Sequence, residues 1–422
     1  MKIGIIADDY TGGTDAASFL VEQGLTCIQL SGIQHQDVPL VTDAIVVSLK
    51  SRTEPAEKAI ADSLATYRWL KQQGCNIIQF KYCSTFDSTT QGNIGPVTDA
   101  LLAEAELSAT IVVPSLPVNG RDVFYGNLFV KGELLNESGM KDHPLTPMDD
   151  ANLLRLMDKQ SNGKSALIDY HIVEKGAVEV REAFDKQVGR GYQNIIIDAF
   201  TDQHLFTIGT AFAGYPFVTG ASGLTQGLGR ALIQQCKSAT TRSHIPVPRR
   251  AKTVIISGSC SQQTNRQVAW YQPLANVWHI DPDKLGNIEH YSDEIVRWLE
   301  MLPPTDLAPL ISATVNKDQL SAIREKYNFN VSARIETLFS LLVKKLQTRG
   351  YRNFISAGGE TSGAITQALG VQELLIGKLI CPGVPWVTSL SQDIYLALKS
   401  GNFGEDDFFV KAQQLIETER VL

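Results

Sequence analysis

IGIIADDYTGGTDAASFLVEQG, residues 3–24, decides the fold class. Ile3 to Ala7 is a short, almost wholly apolar run that does not alternate with polar residues. Strands of that kind are covered on both faces, as in parallel sheets packed between helices. Asp8 and Asp9 follow, then a Thr-Gly-Gly turn, then a helix carrying Ala16, Ala17, Leu20 and Val21. Thr11 or Thr14 is placed to cap that helix and Gly24 to end it. The same strand type recurs at Ala44–Leu49, Asn76–Phe80, Thr110–Val113, Asn194–Ala199, Thr253–Ser257 and Asn353–Ala357. Helical stripes alternate with these runs. Ile60, Leu64, Tyr67 and Leu70 form one that stops at Gly74; Ile335, Leu338, Phe339, Leu342, Val343 and Leu346 form another, closed by Lys344, Lys345, Arg349 and Gly350. The alternation predicts an α/β protein: two α/β domains with mostly parallel sheets and a ligand cleft between them.

Working outward, the 422 residues suit two domains. The stretch SATTRSHIPVPRRAK, residues 238–252, has two prolines, clustered basic residues and no apolar periodicity, as a linker would. It separates an expected N-terminal domain, 1–240, from a C-terminal one, 250–422. With 43% hydrophobic and 20% charged residues the composition is that of an ordinary globular chain, which excludes disordered and collagen-like classes. Lys plus Arg is 38 and Asp plus Glu is 45, a net charge of −7. That argues against a nucleic-acid partner or a polybasic membrane-surface protein, and leaves small anionic ligands open. Six cysteines, at 27, 75, 83, 236, 260 and 381, form no CxxC pair and read as reduced thiols. With no signal peptide and no long apolar span, the expected location is the cytoplasm.

In open α/β sheets ligands gather beyond the carboxyl ends of the strands, and several of those ends are unusual here. Asp8 and Asp9 could bind sugar hydroxyls, accept a proton or hold a divalent cation, against the plainer reading of an Asp-rich turn. They also stand where a dinucleotide fingerprint would need glycines, so a nicotinamide dehydrogenase lacks its motif. QFKYCSTFDSTTQGNIG, residues 79–95, puts Lys81 at a strand end, suited to a carboxylate or phosphate. Ser84, Thr85, Asp87 and Ser88 follow it with the polar density a polyhydroxylated ligand needs, although a solvated loop is the commoner case. Arg52 could fork onto a carboxylate, and Asn119 and Arg121 lie in a Gly/Pro loop. Asp149, Asp150 and Asn152, after His143, read as helix caps. TGASGLTQGLG, residues 219–229, could be an anion-binding turn, but a helix N-cap at Ser222 is preferred.

The second domain offers two strand–turn–helix units, TVIISGSCSQQTNRQ at 253–267 and FISAGGETSGAITQALG at 354–370, with a further loop, KSGNFG, at 399–404. Turns of this kind aim free backbone N–H groups at a ligand from the positive end of a helix, and together they predict a phosphate cradle. G-x-x-x-x-G-K-[ST] is absent, as is the protein-kinase residue set, so neither of those classes applies.

These motifs resemble the four-carbon acid-sugar kinase family. The likeness runs through ADDYTGGTD at 7–15, KYCSTFDST at 81–89, GNIGP at 92–96, LPVNGR at 116–121 and HPLTPMDD at 143–150. It continues through SGSCS at 257–261, SAGGETSGA at 356–364 and PGVPW at 382–386, covering nearly the whole chain. KYCSTFDST and HPLTPM are similar to the 3-oxo-tetronate kinase branch, whereas threonate and erythronate kinases carry a shorter Lys-x-Asp-Ser-Thr-Leu-Arg-Gly-Asn form. Here Gln91 stands for its Arg, and Asp149 for the branch's usual Thr. The resemblance implies a kinase that converts a 3-dehydro-tetronate (3-dehydro-erythronate) and ATP to the 4-phosphate and ADP. By motif, Ser257, Ser259, Gly358, Gly359, Glu360, Thr361 and Gly401 would contact ATP. Arg52, Lys81, Ser84, Asp87 and Arg121 would line the sugar-acid side, with Asp8 or Asp9 as the proton acceptor. Mg²⁺ would bridge the β- and γ-phosphates, its protein ligands unassigned, and domain closure would accompany turnover. D-threonate or D-erythronate 4-kinase activity, a non-catalytic sugar-acid sensor, and assembly as a homo-oligomer remain open at this stage.

Overall fold

The computed structural model of the chain describes residues 1–33, 41–87, 89–141, 146–235, 247–315, 326–327 and 330–416. Two compact units divide it, Met1–Ser243 and His244–Leu422. Most of the expected linker, Ser88 and His143 lie outside the described residues.

The first unit carries eleven described strands: β1 Ile3–Ala7, β2 Cys27–Ser31, β3 Ala44–Ser48, β4 Ile77–Lys81, β5 Thr110–Val113, β6 Arg121–Phe124, β7 Asn127–Val130, β8 Glu133–Leu134, β9 Ser165–Ile168, β10 Asn194–Ile197 and β11 Phe217–Gly220. Eight form a sheet in the order β2-β3-β1-β4-β11-β5-β10-β9, every pair parallel. Helices cover both faces, so β1, β3, β4, β5, β10 and β11 are buried from end to end, as continuous apolar runs require. Parallel register has a direct consequence. Ala7 lies opposite both Ser48 and Lys81, Lys81 opposite Gly220, and Gly220 opposite Val113. The carboxyl ends of five neighbouring strands therefore stand level along one edge.

The direction in which successive strands are added along the sheet reverses at β1, since β3 flanks it on one side and β4 on the other. That is the switch point where such folds bind ligands. The remaining strands, β6, β7 and β8, form a small antiparallel sheet. Its fastening is Asp198, which is fully buried and accepts backbone N–H groups from Tyr125, Gly126 and Tyr170 at 2.8, 2.9 and 3.2 Å.

In the second unit β12 Lys252–Ser257, β13 Val277–His279, β14 Leu310–Ser312, β15 Tyr351–Ala357, β16 Glu373–Cys381, β17 Val384–Ser389 and β18 Tyr395–Lys399 run in the order β13-β14-β12-β15-β18-β17-β16. The first five are parallel, and β17 and β16 add an antiparallel arm. Ser257, Ala357 and Lys399 are level in this register. Leu338, Phe339, Leu342, Val343 and Leu346 of the helix Val331–Thr348 are all fully buried, and the helix ends before Gly350 at φ 85°. Trp386, Tyr271, Phe408 and Phe409 fill the core on the arm side. No helix among the described residues is long and apolar enough to cross a membrane.

The glycine-rich stretch at 219–229 is a packing device rather than a turn. Its residues from Ser222 onward belong to the helix Ser222–Gln235, and a methyl group on Gly227 would stand 2.1 Å from the Leu205 carbonyl oxygen. Backbone cannot yield there as a side chain could, so Gly227→Ala should destabilise the fold by about 1–3 kcal/mol. A urea unfolding midpoint unchanged from the parent protein would contradict that close approach.

Candidate functional site

The level strand ends of the first unit deliver charged residues to one place. Asp8 and Asp9 follow β1, Arg52 follows β3, and Lys81 is the last residue of β4. Arg52 forks onto Asp8, Nε to Oδ2 at 2.9 Å and one Nη to Oδ1 at 2.8 Å, while the same Nη donates to Asp9 Oδ1 at 2.6 Å. Lys81 Nζ lies 3.9 Å from Asp9 Oδ1. Asp9 also caps the helix Tyr10–Glu22: its Oδ1 accepts from the Gly12 N–H at 3.1 Å and its Oδ2 from the Thr11 hydroxyl at 2.9 Å. The cap therefore sits two residues before the expected Thr11, because the helix starts earlier and takes the Thr-Gly-Gly turn into its first turn. Gly12 leaves the space these groups occupy, since a Cβ would stand 2.2 Å from both Asp9 Oδ1 and Lys81 Nζ and would displace them.

Burial opposes ionisation of both carboxylates, with different results. At Asp8, 4% exposed, burial prevails over the Arg52 fork and lifts the pKa. At Asp9, Arg52, Lys81 and the two hydrogen-bond donors outweigh burial and hold the pKa below the usual range. Arg52 is pushed up by the two aspartates, which prevail over its burial, and stays charged. Its loop is tied down by Asn93 of the GNIGP motif, whose side-chain N–H group donates to the carbonyls of Ser51 and Glu54 at 2.6 and 3.2 Å.

The loop after Lys81 is shaped by a run of edge-to-face aromatic contacts, Phe80 with Tyr82 and Tyr82 with Phe86, with ring centroids 5.6 and 5.5 Å apart. Phe86 is fully buried at φ +52°, a conformation that costs a bulky residue energy and recurs at ligand loops. Ser84 and Asp87 are half-buried in this loop, and Asp87 accepts from the Thr85 hydroxyl. Burial pushes the Cys83 thiol up to about 11, so it is unreactive at neutral pH. Arg121 begins β6, and one of its Nη atoms donates to the Asn119 carbonyl.

One residue of this site was not singled out from the sequence, although it closes the ADDYTGGTD motif. Asp15, in the interior of the helix Tyr10–Glu22, is 4% exposed and turned toward the charged cluster. Its Oδ2 accepts from the Ser222 hydroxyl, which is thereby spent on Asp15, and its Oδ1 has no hydrogen bond among the described residues. Burial raises its pKa to about 6, against the pull of Lys81, Ser222 and Arg121 and with a push from Asp9. Gln79, inside β4, fastens the Ser222 turn by donating to the carbonyls of Gly220 and Ala221 at 3.2 and 3.0 Å. A polar residue deep in an apolar strand was the available hint.

The second unit gathers backbone rather than charge. Gly358, at φ +127°, precedes the helix Gly359–Ala368, and that helix has no side-chain cap, so its first N–H groups face outward. Ser259 and Gly258 donate their N–H groups to the Ala357 carbonyl at 3.1 and 3.0 Å, which lays the SGSCS turn beside the Gly358 turn. A Cβ on Gly258 would meet Thr361 Oγ1 at 2.3 Å, and one on Gly401 would meet Ser259 Oγ at 2.4 Å. Ser259, Gly358, Thr361 and Gly401 thus converge, and Gly359 and Glu360 are exposed at the helix start. Ser257 lies beneath them, fully buried, its hydroxyl 2.6 Å from that of Thr314. Lys399, also fully buried, holds the third loop: its Nζ donates to Thr264 Oγ1 and the carbonyls of Ser400 and Gly401, each at 3.0 Å. Burial lowers its pKa to about 7.

Residues 3–228 match a family described as the sugar-binding N-terminal domain, and residues 254–409 one described as the nucleotide-binding C-terminal domain. The chain is 46% identical over 421 residues to the 3-oxo-tetronate kinase of Brucella melitensis, covering 99% of this chain and 97% of the relative. It is 47% identical to that of Actinobacillus succinogenes, covering 98% and 99%. A crystal structure from Salmonella typhimurium LT2 superposes with a TM-score of 0.91 at 46% identity, over 99% of this chain and all of the other. With likeness of that extent over both units, the chain belongs to the four-carbon acid-sugar kinases, in their 3-oxo-tetronate kinase branch.

Proposed function

We propose that this chain is an ATP-dependent kinase that phosphorylates the 4-hydroxyl of 3-oxo-tetronate, releasing the 4-phosphate and ADP. The observation that carries the reading is a pair of anion-ready strand edges of opposite design. In the first unit three cations, Arg52, Lys81 and Arg121, stand among hydroxyls and carboxylates, the mixture a short sugar acid requires. In the second, an uncapped helix start and two glycine turns present N–H groups, the mixture polyphosphate requires.

Within that reading Lys81 and Arg121 take the substrate carboxylate, and Ser84 and Asp87 take its hydroxyls. Asp8 and Asp9, the sequence's candidates for proton acceptor, hold Arg52 and Lys81 in place. Ser259, Gly358, Gly359, Thr361 and Gly401 wrap the phosphates over the floor made by Ser257. Phosphoryl transfer asks chiefly for positioning and for stabilisation of the charge on the transferred group. Among the described residues no three His, Cys, Asp or Glu side chains converge as a metal cage. That suits Mg²⁺, which is held largely by nucleotide phosphates and water and needs one or two carboxylates. Glu360, exposed beside the phosphate-facing N–H groups, is the carboxylate placed to help, and the ion would neutralise phosphate charge there. The thiols at 27, 75, 83 and 260, none of them in a disulfide, fit a reducing cytoplasmic setting.

Coupled ADP-release assays over a panel of four-carbon acids test the reading. Turnover should be highest with 3-oxo-tetronate and lower with threonate and erythronate; ADP release that ignores the added acid would sink it. Gly401→Ala should raise the KM for ATP about 10- to 100-fold, given a steric cost of about 1–3 kcal/mol, and leave the KM for the acid unchanged. The reverse pattern would exchange the roles of the two units.

A further inference from the structure

Four carboxylates of the first unit lie near the Lys81 loop, and three of them are already engaged. Both oxygens of Asp8 are taken by the Arg52 fork. Asp9 accepts from Arg52, the Gly12 N–H and the Thr11 hydroxyl, and its proton affinity is lowered accordingly. Asp87 accepts from Thr85. Asp15 differs: Oδ2 is anchored by Ser222, whereas Oδ1 is buried and has no hydrogen bond among the described residues.

The groups around Asp15 are those of a binding site rather than of a core. The charged groups that act on it are Lys81 from β4, Arg121 from β6 and Asp9 from the cap of its own helix, and Glu22 on the last turn of that helix is pushed up by burial and, secondarily, by Asp15. Two donors on the Arg121 side, Arg121 Nε and Asn119 Nδ2, are likewise buried and without hydrogen bonds among the described residues. Unpaired buried polar atoms are rare and costly, so an acceptor and two donors left open around two cations call for a ligand that brings complementary groups.

We propose that Asp15 is the general base of the kinase reaction, its Oδ1 taking the proton of the sugar acid's 4-hydroxyl while Lys81 and Arg121 hold the acid's carboxylate. This rests on the kinase reading given above. The substrate O–H bond breaks and its proton passes to Oδ1. The hydroxyl oxygen forms a bond to the γ-phosphorus, and the bond from that phosphorus to the bridging oxygen breaks toward ADP. Asp15 later gives the proton to water. A pKa of about 6 leaves the carboxylate ionised at neutral pH yet more basic than an exposed aspartate, the compromise that general bases favour.

Asp15→Asn should lower kcat by about 10²- to 10⁴-fold while calorimetry still detects the sugar acid binding. Its thermal melting at pH 7 should equal or exceed that of the parent, because a buried charge has been removed. In the parent, kcat/KM should fall as pH drops through about 6, where Asp15 becomes protonated. Ser222→Ala removes the donor that steadies the carboxylate, so the same limb should move to higher pH. A kcat within threefold of the parent for Asp15→Asn, or an acid limb unmoved in Ser222→Ala, would overturn the assignment. If Asp15→Asn does not fold, the Ser222→Ala profile decides alone. Lack of ADP release by the parent protein with every four-carbon acid would instead remove the kinase reading itself.

Discussion

Charge has to be balanced where water is excluded, and that constraint organises the first unit. Taking a single ion out of water costs several kcal/mol unless partners replace its solvation. Asp8, Asp9 and Asp15 are met by Arg52, Lys81 and Arg121, and four of the six are placed by something outside the set. Asn93 ties the Arg52 loop, Gly12 leaves room for Lys81, Ser222 fixes Asp15, and Asp198 anchors the small sheet that bears Arg121. The parallel register makes this possible, since it brings five strand ends to one level before any side chain is chosen.

The second unit meets an anion without spending side-chain charge at the surface. Its donors are main-chain N–H groups at the start of the helix Gly359–Ala368, made reachable by glycines. The lysine beneath its third loop is hidden and, with a pKa lowered to about 7 by burial, only partly charged: Lys399 is bonded to two carbonyls and a hydroxyl under the loop that it supports. An acidic chain can thus present two anion sites, because bulk charge counts neither backbone dipoles nor a handful of placed cations.

The fold was legible wherever burial on both sides left an unbroken apolar run. Ile3–Ala7 and Thr110–Val113 begin and end as the residues suggest. Gln29 interrupts β2, and YLALK of β18 is followed by a loop and then only the 7-residue helix Phe408–Gln414, so neither stood out. Asp8, Asp9, Arg52 and Lys81 were legible as chemistry at strand ends, and the structure places them within ion-pair distance. Asp15 was not singled out, because an aspartate among helical residues usually belongs to a solvated face; only its burial and its bond to Ser222 reveal otherwise. Ser222 was read as a helix cap, a local role, and its partner lies 207 residues away in the chain.

One point of topology bears on how the protein is made. β11, the last strand of the first unit, lies between β4 and β5. During synthesis the ribosome has to reach residue 220 before the two halves of that sheet can join, so open edges on β4 and β5 must wait through more than a hundred residues of nascent chain. Pairing so remote in sequence is slow and exposes apolar edges to neighbours. The same late strand leads straight into Ser222. The site thus depends on residues near the end of the unit's sequence, and a chain cut before residue 217 has the cations but lacks the Ser222 that fixes Asp15.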